Sequence, residues 1–209
     1  VPGVIRVLDA VATKYDLAFT WENFDWSCET YKKTGRMMPE NGLEQIGKHD
    51  SIYLGAVGFP GVPDHVSLWG LLIPIRRTFD QYINLRPVRL MPGVATPLAG
   101  RTAADSDFAV VRENVEGQYS APGGRTSRGT ENEFVSQQSI FTRRGTDRVQ
   151  RFAFELARSR PKKHLTSATK SNGITITMPY WDERFEANKK DYPDVTPDKF
   201  HIDILTAHF

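Results

Sequence analysis

The chain has 209 residues, a length that suits one to two domains. Its 27 basic and 25 acidic residues leave a net charge of +2, beside 39% hydrophobic and 25% charged residues. That balance excludes polyanion binding driven by bulk charge, and it excludes intrinsic disorder. One cysteine, Cys28, excludes an intrachain disulfide framework and a multi-cysteine zinc site. It points to a reducing compartment, read here as the cytoplasm. The apolar run at 51–59 falls far short of the roughly 20 residues that cross a bilayer, and no secretory leader is legible.

Val4, Leu8, Val11 and Tyr15 recur at helical spacing, so an amphipathic helix is expected to open the chain, with Pro2 in its first turn. Residues 17–24 alternate apolar and polar, as a half-buried strand does. Pro39-Glu40-Asn41-Gly42 marks a turn before a short helix to Lys48. Ser51 to Gly58 is nearly all apolar, the signature of a strand covered on both faces in a parallel sheet. A rigid loop follows at 58–63. Ser67 to Asp80 reads as a helix that Pro74 kinks or starts. A strand is expected at 82–90, where Pro87 argues for an edge or a bulge. Residues 91–100 read as a loop crossing between domains, and 107–114 as another strand.

Gly117 to Gly129 is a loop by composition. Residues 132–143 read as one or two strands. A helix is expected at 148–158, with Val149, Phe152 and Leu156 on one side. A strand at 163–170, a helix at 178–189 and a closing strand or buried helix at 200–209 complete the pass. Both ends look cut in mid-pattern. The alternation of types gives an α/β fold with a largely parallel sheet and extra strands.

Three arginines stand out. Arg76 ends an apolar helix, Arg86 lies within a strand-like run, and Arg112 leaves the run Ala109-Val110-Val111. A guanidinium in apolar surroundings must find a carboxylate or phosphate. Three of them could clamp one small di-acid, or they could form ordinary salt bridges to Asp80, Glu113 or Glu116. Lys170, at a strand end, could act as an acid/base or stand as a solvated surface residue. Tyr119 could donate a proton from its loop or simply pack there. Asp203, within an apolar segment, needs a partner or a metal, and one carboxylate is a poor metal site by itself. Asp194, Asp198 and His201 show no ligand spacing. Residues 55–61 are glycine-rich but lack the dinucleotide fingerprint. Trp21, Trp26, Tyr31, Lys32 and Lys33 read as a partly buried strand rather than a nucleic-acid platform.

In combination, GAVG–PDHVSLWG, IRRTFDQYINLRPVRL, DFAVVRENVEGQYS, FTRRGTDRVQRFAFELA, LTSATKSNG and MPYWDERF resemble the metal-dependent decarboxylating 2-hydroxy-acid dehydrogenases. That family includes the isocitrate and isopropylmalate dehydrogenases, and the likeness runs through essentially the whole chain. It implies an isopropylmalate dehydrogenase-like two-domain α/β fold with a mixed, largely parallel sheet. Residues 1–90 would be a partial first domain, and 91–209 a truncated second domain for dimerisation and the active site.

The resemblance also implies roles. Arg76, Arg86 and Arg112 match the family's substrate-carboxylate clamp, and Leu72 a face of its side-chain pocket. Tyr119 matches the proton donor, Lys170 the acid/base lysine, Asn172 a residue near the nicotinamide, and Asp203 a metal-ligating aspartate. The implied cofactors are NAD and Mg²⁺ or Mn²⁺. The implied assembly is a homodimer in which Lys170 and Asp203 serve the neighbouring subunit's site. Neither nucleic acid nor membrane is an expected partner. Trp69, where an acidic residue is expected in isopropylmalate enzymes, tilts the substrate toward D-malate or tartrate. The alternatives are isopropylmalate, or a non-catalytic truncated paralogue that only binds a partner subunit. Two further metal-ligating aspartates and an adenosine-binding loop are expected beyond Phe209, so the 209-residue chain is expected to be an inactive fragment.

Overall fold

The computed structural model describes residues 1–96, 99–102 and 105–208. They form two compact units, Val1–Phe79 and Asp80–Phe209.

The first unit is helical. Helix α1 (Pro2–Tyr15) carries Pro2 in its first turn and ends at Asp16 in the left-handed conformation, whose N–H bonds to Ala12 O. The expected helix is present, yet none of its residues is buried. Helix α2 (Cys28–Thr34) is capped by Ser27, whose hydroxyl accepts from the Thr30 N–H. Helix α3 (Gly42–Ile46) follows the expected turn.

Helix α4 (Asp64–Ser67), a π-helical turn (Leu68–Leu72) and α5 (Ile73–Thr78) run on end to end. In the wide turn the Ile73 N–H reaches back five residues to Leu68 O. Pro74 has no N–H to offer Gly70, so the ladder widens just before it instead of breaking. Leu71 and Ile75 from this segment join Cys28, Met37, Ile46 and Val62 in the core. Their burial leaves Leu72 and Arg76 half-buried beside them.

Two expectations fail in this unit. Residues 17–24 and 51–58 are irregular, not strands. Among the described residues no strand lies beside either, and a strand needs a neighbour for its backbone ladder. Tyr53 and Leu54 are exposed, so the second segment is not covered on both faces.

The second unit mixes strands and helices. Strands β1 (Ile83–Arg89) and β2 (Asp107–Glu113) pair antiparallel. Strands β3 (Gly123–Thr126) and β4 (Phe134–Gln137) form an antiparallel pair, so part of the expected 117–129 loop is strand. After α6 (Arg143–Ser159), β5 (His164–Thr169), α7 (Thr177–Lys189) and β6 (Thr196–His201) make a parallel crossover unit. Helix α8 (Ile202–Ala207) follows directly. The fold is α/β, with β5–β6 as its parallel pair among the described residues and the two other pairs antiparallel. Pro87 sits in a two-stranded pair, where each strand is an edge.

Strand β1 belongs with its partner β2, which keeps residues 80–90 in the second unit; the sequence had placed the division at 90/91. Pro97 and Leu98 of the expected crossover loop, and Phe209, lie outside the described residues.

The core of this unit forms where α6 meets α7. Phe154 is 0% exposed and stacks on Phe185 and Tyr192, with ring centroids 5.1 and 4.8 Å away. Polar groups complete the seam. Arg184 donates through Nε and a terminal nitrogen to both Asp147 carboxylate oxygens, at 2.7 and 3.1 Å. Asn188 donates to Gln150 at 2.9 Å. Buried polar groups are tolerated when paired in this way.

Candidate active site

Pairing in the β1–β2 ribbon sets Arg112 opposite Asn84, and Val110 opposite Arg86. Residues opposite one another, or two apart on a strand, share a face. Asn84, Arg86 and Arg112 therefore stand on one face. The opposite face carries Asp107, which accepts from Arg160, the residue after α6, at 2.7 Å. Asn84 Oδ1 accepts the Arg86 Nε–H at 2.9 Å. The Arg112 guanidinium lies 5.0 Å from the centroid of the Tyr119 ring, a cation–π contact.

Tyr119 reaches that position through a bend built from backbone bonds. The Asn114 N–H donates to Tyr82 O at 3.1 Å, and its side-chain amide donates to Gln81 O at 2.9 Å. The Glu113 carboxylate folds back to accept the Val115 and Glu116 N–H groups. Gly117 then turns the chain at φ +73, where a Cβ would meet Phe141 at 3.1 Å. Its N–H donates to Ile140 O at 2.8 Å.

The carboxylates that might have neutralised the arginines are engaged elsewhere. Asp80 receives both terminal nitrogens of Arg148, at 2.6 and 2.8 Å, and one from Arg144. These bonds, Arg148's first, hold its carboxyl below the usual range. Glu116 accepts from the N–H and hydroxyl of Thr142. Among the described residues, Arg86 and Arg112 carry no ion pair. Ordinary salt bridges are thus not what these two form. Arg76 and Leu72 lie in the first unit, on α5 and the π turn, both half-buried.

A second cluster forms at the carboxyl ends of the parallel pair. Register sets Thr169 opposite His201. Lys170 follows the first strand, and Asp203 lies in the first turn of the helix after the second. Lys170 Nζ donates to Asp203 Oδ1 at 2.6 Å. That bond holds the Asp203 carboxyl below its ordinary value. Asn172 is exposed in the tight turn after Lys170, whose carbonyl accepts the N–H groups of Gly173 and Ile174. In open α/β sheets, the carboxyl ends of strands are where ligands bind.

The donor chemistry of Asp203 suits a hard cation, since its carboxylate stays ionised. Among the described residues, no group of three or more His, Cys, Asp or Glu side chains converges to hold a metal. Asp203 alone would thus offer such an ion one carboxylate, short of a complete ligand set among the described residues. Of the polar groups on this face, the sequence reading does not single out Asn84, which bonds Arg86. Its signal was the spacing Asn84-Leu85-Arg86 in a strand, which puts the amide and the guanidinium on one side.

Two guanidiniums on one face of the β1–β2 ribbon, and a lysine–aspartate pair at the carboxyl ends of the parallel strands, are thus two separate charged clusters on an α/β frame. The chain belongs to the isocitrate/isopropylmalate dehydrogenase family, whose model matches residues 1–209. It is 60% identical, over 210 aligned positions, to the D-malate dehydrogenase (decarboxylating) of Escherichia coli K12, covering 100% of this chain and 58% of that protein. It is 57% identical to the tartrate dehydrogenase/decarboxylase of Pseudomonas putida, again covering 58% of the relative. The chain therefore spans somewhat over half the length of these relatives. The crystal structure of isocitrate dehydrogenase from Methylococcus capsulatus superposes with a TM-score of 0.81 at 22% identity, covering 99% of this chain and 59% of that one. That likeness establishes the shared fold. No described helix is long and apolar enough to cross a membrane.

Proposed function

We propose that the protein oxidises and decarboxylates a small 2-hydroxy di-acid, D-malate or tartrate, using NAD and Mg²⁺ or Mn²⁺. The observation that carries this reading is the pair of guanidiniums, Arg86 and Arg112, on one face of the ribbon without a carboxylate partner among the described residues. A di-anion supplies the missing charge. The names of the two similar enzymes support the same substrates.

When bound, NAD⁺ supplies the hydride acceptor and the divalent cation supplies Lewis-acid polarisation of the substrate's 2-oxygen. Arg86 and Arg112, with Arg76, bind and orient the carboxylates. Lys170 takes the proton from the 2-hydroxyl as hydride leaves C2. The β-keto acid then loses CO₂, and the electron pair of the broken C–C bond passes into an enolate. Tyr119 returns a proton to the enolate carbon, giving pyruvate from D-malate. Asn172 would lie on the nicotinamide side of the bound cofactor, and Asp203 would offer one carboxylate to the cation. In this reading the protein is a homodimer, with Lys170 and Asp203 acting in the neighbouring subunit's site.

The test is NADH formation at full native length with D-malate, tartrate and isopropylmalate, with Mn²⁺ and then with EDTA. Metal-dependent turnover of D-malate or tartrate is expected, with little for isopropylmalate. Preference for isopropylmalate would move the protein to the alternative branch. No turnover of any of the three would overturn the reading.

A further inference from the structure

We infer that Asn84 is a positioning residue that presets Arg86 to meet a substrate carboxylate end-on. This rests on the reading of Arg86 as a di-acid ligand. An arginine guanidinium carries five N–H donors in a fixed fork and no acceptor. The Asn84 carbonyl oxygen takes the Nε–H of Arg86 at 2.9 Å. The two terminal nitrogens remain as the fork that holds a carboxylate with two parallel bonds. An exposed arginine without such a tether samples many rotamers and must be ordered when the ligand binds. Arg86 is exposed and Asn84 half-buried, so the tether is fixed at its base and free at its working end.

The second argument is electrostatic. Asn84 is the cross-strand partner of Arg112, and Arg86 lies two residues further along the same strand. The two arginines are thus diagonal neighbours, with Cα atoms about 7–8 Å apart. Like charges at that distance push the side chains away from one another. The Asn84 oxygen, standing between them, holds one of the pair in place. A neutral acceptor does this without cancelling the positive charge that a di-anion needs; an aspartate there would cancel it.

The experiment is a double-mutant cycle at full native length, with Asn84→Leu, Arg86→Ala and the double variant, and Asn84→Ala as a second tether-free form in case leucine disturbs the ribbon. The KM for D-malate and the KM for NAD⁺ are measured separately. Loss of the tether is expected to raise the D-malate KM about tenfold, leave the NAD⁺ KM unchanged, and have no further effect once Arg86 is alanine. Two results would overturn the role: equal shifts in both KM values, or an effect of the same size in the Arg86→Ala background. An unchanged D-malate KM in both tether-free forms would do the same. If the unaltered protein turns over no di-acid, the functional reading falls first, and this inference falls with it.

Discussion

Lys170 and Asp203 are 33 residues apart in sequence, yet the lysine amine donates to the aspartate carboxylate at 2.6 Å. Each follows the carboxyl end of one of two neighbouring parallel strands, so the ladder that pairs Thr169 with His201 also brings these charges together. Both side chains are substantially exposed, and exposed ion pairs contribute little to stability. Lys170→Met is therefore expected to lower kcat by about a hundredfold or more while leaving the melting temperature unchanged. A large fall in melting temperature would make the pair structural instead.

The arginines of the ribbon should show in substrate affinity. Arg86→Ala and Arg112→Ala are each expected to raise the D-malate KM tenfold or more, by loss of a charge-assisted fork. Arg86→Lys should recover little, because an ammonium has no Nε–H for Asn84 and no planar fork. Steady-state kinetics on the three variants checks both statements. Recovery by lysine to the unaltered KM would show that charge alone suffices.

The contact between Asp80 and Arg148 sets a pH dependence. Its carboxyl is held lower in the folded chain than in the unfolded one, mainly by the Arg148 hydrogen bond. The stability it confers is thus complete above the unfolded value of about 3.9, and it is lost as pH falls through the folded value. Asp80→Asn should be less stable at neutral pH and should show a shallower loss of stability below about pH 4. Urea midpoints between pH 7 and pH 2.5 test this, and parallel curves for the two proteins would refute it.

Packing predicts two further losses. Phe154 is fully buried between Phe185 and Tyr192, so Phe154→Ala should cost about 3–5 kcal/mol through the cavity it leaves. Gly70 meets the buried Met37, and a Cβ there would stand 2.8 Å from Met37 Cγ. Gly70→Ala should cost about 1–3 kcal/mol by overpacking. Denaturant titration of both variants gives the answer.

The sequence showed most where local pattern and packing agree. Helix α6 appears and extends the expected 148–158 segment to Arg143, where Thr142 caps it, but only Val149 of the expected face is buried; Phe154 and Ala157 are buried with it, while Phe152 and Leu156 are half-buried. Strand β5 and helix α7 follow the same rule. The failures share one cause. Alternation at 17–24 and apolarity at 51–58 describe what a strand requires, but a strand also needs a partner, which its own residues cannot specify. The site divides likewise. Arg86, Arg112, Tyr119, Lys170 and Asp203 stand out in the sequence as candidates, largely through the family resemblance, and the structure sets Arg86 and Arg112 on one face and Lys170 against Asp203. The Asn84–Arg86 bond has its signal in their spacing two apart on one strand, but that Arg112 lies opposite Asn84 depends on a register the sequence does not specify.

The wide turn before Pro74 has a consequence for length. An α-helix covering the same distance as Leu68–Leu72 would use one residue fewer, so this segment holds a spare one. Removing a residue within the turn would restore ordinary winding and leave Arg76 pointing as it does now. Removing one between Ile73 and Arg76 would swing that guanidinium by about 100° around the helix axis. The helix that carries Arg76 thus has a slack link on one side of its proline and none on the other.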